Sequence, residues 1–291
     1  MRLSPRDRRF SLSLVAPSIF LLLLVGVFPL VYLLVVSFQG ITMTELDTSF
    51  QGLRNFRMLF DDERLWQSLL HTVIFTAIAL PLELVLGLAM AQLFIDKLPG
   101  RQVFVALLVL PVVVSPIVAG ATWSLMFDQR FGPINEVIGW MLGGETTILW
   151  TIKPDLVYPA ILLAEIWQWT PFMFLLLLAA LSAVDKSQLE AAAIDGAGWW
   201  RTFFRIVLPA IWPVMAIAIL IRALDLFRLF DIVWALTKGG PGTMTETISI
   251  FAYVKGFQQF ETNYTAAVAL MIIVLLSVVV MAALKRVELT R

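Results

Sequence analysis

The chain has 291 residues, of which 60% are apolar and only 14% charged, and its mean hydropathy is +0.89; this composition excludes a water-soluble globule and belongs in a bilayer. Lys plus Arg and Asp plus Glu balance at 21 each, so no surplus of charge points to nucleic acid or to a strongly acidic partner. The lack of cysteine excludes disulfides, thiolate metal sites and thiol nucleophiles.

Arg2, Arg6, Arg8 and Arg9 precede an apolar run over residues 12–38. That run has no small-residue cleavage pattern after a short hydrophobic core, so it reads as an uncleaved first span. About 20 apolar residues are needed for a helix to cross the hydrocarbon, and five more stretches reach that length: 69–95, 103–127, 156–181, 208–236 and 262–284. They are too long for barrel strands and lack alternation, and in lipid a helix satisfies its own backbone. The expected fold is therefore an all-α integral membrane protein of six transmembrane helices, forming a single domain over residues 1–291.

Charge bias sets the expected orientation. An inside N-terminus places Arg2, Arg6, Arg8, Arg9, Lys97, Arg101, Lys186, Arg201, Arg205, Lys285, Arg286 and Arg291 in the cytoplasm, twelve in all. The other side receives seven: Arg54, Arg57, Arg64, Arg130, Lys153, Lys238 and Lys255. The outer segment 39–68 also carries Glu45, Asp47, Asp61, Asp62 and Glu63. Both termini are expected in the cytoplasm. Pro17, Pro29, Pro81, Pro111, Pro116, Pro171 and Pro213 fall within spans, where they either kink helices around a cavity or are simply tolerated.

Along the spans, ionisable groups at membrane depth require partners or a polar cavity. His71, the lone histidine, sits at the outer start of the second span and reads as a satisfied interfacial residue. Glu83, beside Pro81, is a minor candidate for the solute path. On the fourth span, Glu165, Trp167, Gln168 and Trp169 suit a sugar, whose apolar ring faces pack on indole while amide and carboxylate take its hydroxyls. The alternative is that the tryptophans anchor the helix at the interface and that Glu165, near one end, is solvated. On the fifth span, Arg222, Asp225, Arg228 and Asp231 alternate in sign every three residues and read as a ladder of mutually neutralising charges. Arg228 and Asp231 are assigned to structural ion pairs; Arg222 and Asp225 are kept as candidates for the solute passage.

The loop at 182–207 carries most of the functional information. Ser187-Gln-Leu-Glu190-Ala191-Ala192-Ala-Ile-Asp195 forms helix readily, and Gly196-Ala-Gly198 stops it. Trp199, Trp200, Phe203 and Phe204 then give an aromatic face for the membrane interface, with Arg201 and Arg205 turned to water or headgroups.

Glu190-Ala191-Ala192, Gly196 and Ile206-Val207-Leu208-Pro209 have the spacing of the EAA loop, and so the chain resembles the permease subunits of binding-protein-dependent ABC importers. Leu236-Thr-Lys-Gly239-Gly240-Pro241-Gly242 and Trp167-Gln-Trp-Thr-Pro171-Phe172 are similar to the carbohydrate-uptake branch. The resemblance implies a type I importer permease in a bacterial inner membrane, crossing it several times. It also implies that Glu190, Ala191, Ala192, Asp195 and Gly196 couple to an ATPase. The implied partners are a second, homologous permease subunit, two ATP-binding cassette subunits and an extracytoplasmic solute-binding protein. The permease is expected to be non-catalytic and to bind no cofactor of its own, with ATP and Mg²⁺ on the partner ATPase. No Walker loop or hydrolase motif is found in the sequence. Two rivals stand at this point: an ion-gradient carrier, expected to show discontinuous helices and repeated halves, and an intramembrane enzyme, which would need paired carboxylates at depth.

Overall fold

The computed structural model describes residues 5–42, 45, 47–95, 99–144 and 146–289. Arg2, Lys97 and Arg291, three of the charges in the orientation argument, lie outside them. In chain order the helices are α1 (Pro5–Leu22), α2 (Phe28–Ser37), α3 (Arg54–Asp61), α4 (Glu63–Leu93), α5 (Arg101–Val113), α6 (Pro116–Met126), α7 (Pro133–Leu142), α8 (Pro154–Ser182), α9 (Lys186–Ile194), α10 (Trp199–Thr202), α11 (Leu208–Phe227), α12 (Asp231–Leu236), α13 (Ile248–Tyr253) and α14 (Thr262–Leu289). Proline opens α6, α7 and α8, at positions where its missing N–H costs nothing and its fixed φ suits a helix start. Two π-turns precede helices that begin with a proline at their second residue. Leu23–Val27 is closed by the N–H of Phe28 donating to Leu23, and Phe203–Val207 by that of Leu208 donating to Phe203.

The chain divides into two compact units. The first comprises Met1–Glu63 and Ala252–Val278. Asn55 fastens it: its Nδ2 donates to the carbonyls of Ser37 (2.8 Å) and Gln39 (3.0 Å), and its Oδ1 accepts from Asn263 Nδ2 at 3.0 Å. Tyr264 Oη donates to Asp62 at 2.7 Å. The first span, Ser13–Ser37, exposes most of its apolar side chains, including Leu14, Phe20, Val25 and Phe28.

The second unit is Arg64–Phe251 with Val279–Arg291. Its centre is α8, where Ile161, Ala164, Met173, Phe174 and Leu177 are fully buried. Helix α4 buries Phe75, Ala79, Glu83, Gly87 and Ala91, a row spaced every fourth residue, and a Cβ on Gly87 would stand 2.6 Å from that of Met173, so the missing side chain lets the backbones close. Helix α11 buries Ile211, Met215, Ala218, Arg222 and Leu226. Arg64 forks onto Glu246 with two 2.7 Å bonds.

Five of the expected spans are helices long and apolar enough to cross a membrane: Ser13–Ser37, Glu63–Leu93, Pro154–Ser182, Trp199–Leu236 and Thr262–Lys285. The third differs. The expected continuous span 103–127 is two helices, α5 and α6, bent by 96°. Val114 and Ser115 adopt ψ 135° ahead of Pro116; for Ser115 this is the extended region that a following proline favours. The fifth span is interrupted between α11 and α12 at residues 228–230. The two short helices α6 and α12 lie together where Gly120 faces Ala235 and Ile232, and a Cβ there would meet Ala235 at 2.7 Å.

Candidate functional site

At membrane depth the buried rows of α4, α8 and α11 each deliver one charge to the same point. Arg222 Nε donates to Glu83 Oε2 at 2.6 Å, and its Nη2 to Glu83 Oε1 at 2.9 Å. The same Nη2 also donates to Glu165 Oε1. Arg222 is 1% exposed, Glu83 0% and Glu165 2%. The guanidinium lies 4.6 Å from the centre of the Trp169 ring, a cation–π contact that is strongest where water is excluded. Three helices far apart in sequence are thus joined by one planar donor, the fork geometry that lysine cannot reproduce.

This hub forms the floor of a cavity of about 290 Å³ whose lining includes Pro116, Trp169, Asp225, Arg228, Phe230 and Asp231. Glu165 lines it too, and its Oε2 is buried without a hydrogen-bond partner. The cavity therefore combines one aromatic face, two guanidinium groups and carboxylates, with the broken ends of α6 and α12 at its wall. Polar groups convergent on an aromatic platform can hold a hydroxylated solute.

The expected charges are arranged differently from the ladder. Arg228 Nη2 pairs with Asp225 Oδ1 at 2.7 Å, whereas Arg222 turns from Asp225 to Glu83 and Glu165, and Asp231 sits in the first turn of α12. Arg222 belongs to the buried row of α11 and is taken up by carboxylates of α4 and α8, although Asp225, three residues on, lines the same cavity. Glu165 is not the solvated end residue of the alternative reading: it is buried and paired.

Of the four candidates on α8, Glu165 and Trp169, one helical turn apart, reach the cavity. Trp167 points elsewhere, 41% exposed and set edge-on to Trp123 at 5.7 Å. Gln168 is buried and its Nε2 donates to the Val114 carbonyl at 2.9 Å, capping the corner between α5 and α6. His71 places Nδ1 3.2 Å from the Glu246 carbonyl.

The second candidate site is at the other end of α8. Asp185 caps α9, its Oδ1 accepting the Ser187 N–H at 2.9 Å. That backbone hydrogen bond holds the Asp185 carboxyl below its ordinary value. At the far end Gly196 takes φ +70°, its N–H donates to Ala193 (3.1 Å), and the N–H of Ala197 donates to Ala192 (2.9 Å). These are the paired bonds of a Schellman end, which needs a left-handed residue. Glu190 and Ala191 are exposed, Ala192 is buried, and Ile194 stands 87% exposed. Ala191, Ala192 and Asp195 line a groove of about 540 Å³ with Gln188, Arg201 and Arg205; Glu190 is not in its lining.

The expected four-residue aromatic face is two stacked pairs, Trp199 on Phe203 (5.2 Å) and Trp200 on Phe204 (5.9 Å). Phe203 is turned inward and buried among residues such as Ile95, Leu181, Val184 and Leu189. A π-turn, Phe203–Val207, begins at this residue.

The family described as binding-protein-dependent transport system inner membrane component matches residues 9–289. The trehalose/maltose transport system permease protein MalF of Thermococcus litoralis is 33% identical over 252 residues, covering 87% of this chain and 85% of the relative. The sulfoquinovosyl glycerol transport system permease protein SmoG of Agrobacterium fabrum is 34% identical over 274 residues, covering 92% and 87%. Among solved structures, a chain of a bacterial alginate ABC transporter in complex with an alginate pentasaccharide-bound periplasmic protein superposes with a TM-score of 0.84 at 21% identity, covering 96% of this chain and 93% of that one.

Proposed function

We propose, from the premise that the chain belongs to the binding-protein-dependent transport system inner membrane component family, that it forms half of the solute passage in an ATP-driven importer of a sugar, polyol or related small solute. It is a membrane-spanning permease subunit of an ABC importer, in the inner membrane, and not itself a catalyst; ATP is hydrolysed on a separate subunit. The observation that carries the solute class is the match to sugar permeases over most of the chain. The third and fifth spans are broken, a feature expected of an ion-gradient carrier, but the family match over residues 9–289 decides for the importer.

In this reading a second homologous permease completes the passage, two ATP-binding cassette subunits carry ATP and Mg²⁺, and an extracytoplasmic protein delivers the solute. Both termini and α9 face the cytoplasm. Glu190, Ala191, Ala192, Asp195 and Gly196 form the ATPase contact, with Ile194 as its apolar centre. Movement of α9 reaches the passage directly. Only Ala183–Asp185 separate α9 from α8, and α10 with the following π-turn joins it to α11. Helices α8 and α11 carry Glu165 and Arg222, so the hub keeps them together while the passage alternates between inward-open and outward-open states. Trp169, Glu165 and Asp225 present the solute-facing surface.

The test is uptake into proteoliposomes holding the chain with its co-expressed permease and ATPase subunits. Uptake requiring both ATP and the solute-binding protein is expected. Uptake by this chain alone, driven by an ion gradient, would refute the reading. A thermal-shift screen of sugars and polyols against the binding protein names the cargo through the ligand that stabilises it.

A further inference from the structure

Helix α7 has a surface that the importer reading leaves unused. On a wheel of 100° per residue, Asn135 and Gly139 fall on one side and are buried. Pro133, Val137, Trp140 and Met141 fall on the opposite arc and are exposed, Trp140 by 83%. The polar residues occupy the flank between these arcs. There Gln129, Arg130, Glu136, Thr146 and Thr147 surround an open cavity of about 560 Å³, with Trp140 at its edge. A helix facing water on its free side would reverse this order.

The helix is also fixed at a definite level. Asn135 Nδ2 donates to the Asp128 and Ile148 carbonyls, at 3.4 Å and 3.1 Å, and Asn135 Oδ1 accepts from Trp150 Nε1 at 2.9 Å. Trp150 packs on Phe127 at 5.4 Å, and Phe127 on Trp123 of α6 at 5.2 Å. Gly139 admits the Gly144 carbonyl to within 2.7 Å of where a Cβ would stand. The inner face of α7 is therefore bound to the ends of the elements at 127 and 150, the latter just before α8 begins at Pro154. Such a tether holds α7 against the end of α6 and the approach to α8, at the end of α8 opposite α9.

We propose that α7 is an interfacial anchor whose Pro133, Val137, Trp140 and Met141 face is immersed in the bilayer, in the leaflet opposite the one that α9 faces. Three observations carry it: the exposed apolar arc lies opposite the face tethered to the start of α8, an apolar helix long enough to cross a membrane, the indole stands at the boundary of the arc where amphipathic rings collect, and the polar flank lies to one side of it. The anchor fixes the height of the loop that joins α6, one wall of the passage, to α8.

Because the chain has no cysteine, a nitroxide can be placed at one position at a time. Val137→Cys, Met141→Cys and, as the polar-flank reference, Glu136→Cys are labelled in the complete importer, with cysteine-free partners, in nanodiscs of phosphatidylethanolamine and phosphatidylglycerol. Collision with oxygen and with nickel-EDDA is then measured. The labels at 137 and 141 are expected to show a several-fold higher oxygen-to-nickel ratio than the label at 136, with or without the solute-binding protein. Quenching by brominated lipid should fall in Trp140→Phe by the share of that indole. Equal ratios at the three positions overturn the anchor. Low collision with both reagents, whether constant or only after the binding protein is added, also overturns it and assigns the face to a protein partner. An importer that transports normally yet gives these results refutes the anchor alone and leaves the transport reading standing.

Discussion

Replacing Gly196 gives a graded test of the α9 end, because its environment separates backbone cost from side-chain cost. A Cβ built on Gly196 meets nothing within 4 Å, so Gly196→Ala adds no steric clash. What it adds is the preference of an L-residue against φ +70°, about 1–2 kcal/mol, which depletes the Schellman conformation by roughly 5- to 30-fold relative to frayed alternatives. Asn tolerates the left-handed region better, so Gly196→Asn falls between Gly and Ala. Proline cannot adopt this φ and removes the N–H that donates to Ala193, making Gly196→Pro the most severe. The assay is the number of ATP molecules hydrolysed per solute delivered in proteoliposomes, with insertion checked by yield of assembled complex. The expected order of coupling is Gly, Asn, Ala, Pro, with assembly in the membrane retained. Equal coupling in Gly196→Pro and wild type would refute the role assigned to this turn.

Arg222→Met leaves Glu83 and Glu165 buried without their common donor, a loss of about 3–5 kcal/mol for breaking a buried pair from one side. Thermal unfolding in detergent should show it, and Arg222→Met combined with Glu83→Gln and Glu165→Gln should recover most of it; a single variant as stable as wild type contradicts the hub. Trp169→Ala should weaken uptake while Trp167→Ala, whose ring lies off the cavity, leaves it close to normal; transport kinetics that respond equally to both refute the assignment of Trp169. Asp185 is held below the ordinary carboxylate range by its hydrogen bond to Ser187, so its capping is complete above that range and is lost only as pH falls through its lowered value. Coupling should therefore keep its dependence on the Asp185 cap across neutral pH, with Asp185→Asn tolerated and Asp185→Ala impaired; an Asp185→Asn phenotype equal to Asp185→Ala points away from capping.

The positions of five spans are legible because hydropathy is additive along a chain, and their ends fall within several residues of the helices observed. Hydropathy carries no direction, so a run through 103–127 looks the same whether straight or folded at Ser115. The Ser115–Pro116 pair was the available signal, ambiguous because proline is tolerated inside membrane helices. The hub was legible only in part. Regular spacing favoured a ladder within α11, yet the apolar rows Phe75, Ala79, Gly87 and Ala91 on α4, and Ile211, Met215, Ala218 and Leu226 on α11, each contain one charged residue. Two opposite charges in buried rows on different helices have no better partner than each other. Trp167 and Trp169 were grouped by adjacency in sequence, although two residues of helix turn them about 200° apart. Gly196 was expected to stop α9 and does so, at φ +70°, because a helix end of this kind is specified by a single residue.

The corner at Ser115 changes what a solute must cross. Helix α5 has 13 residues, about 20 Å of rise, against roughly 30 Å of hydrocarbon, and α6 leaves its end at nearly a right angle. On that flank α5 alone is about 10 Å short of the hydrocarbon thickness, and the rest of the crossing falls to a helix that runs nearly at right angles to it. The pair α6 and α12, packed closely at Gly120 and Ala235, therefore lies where a straight span would have continued.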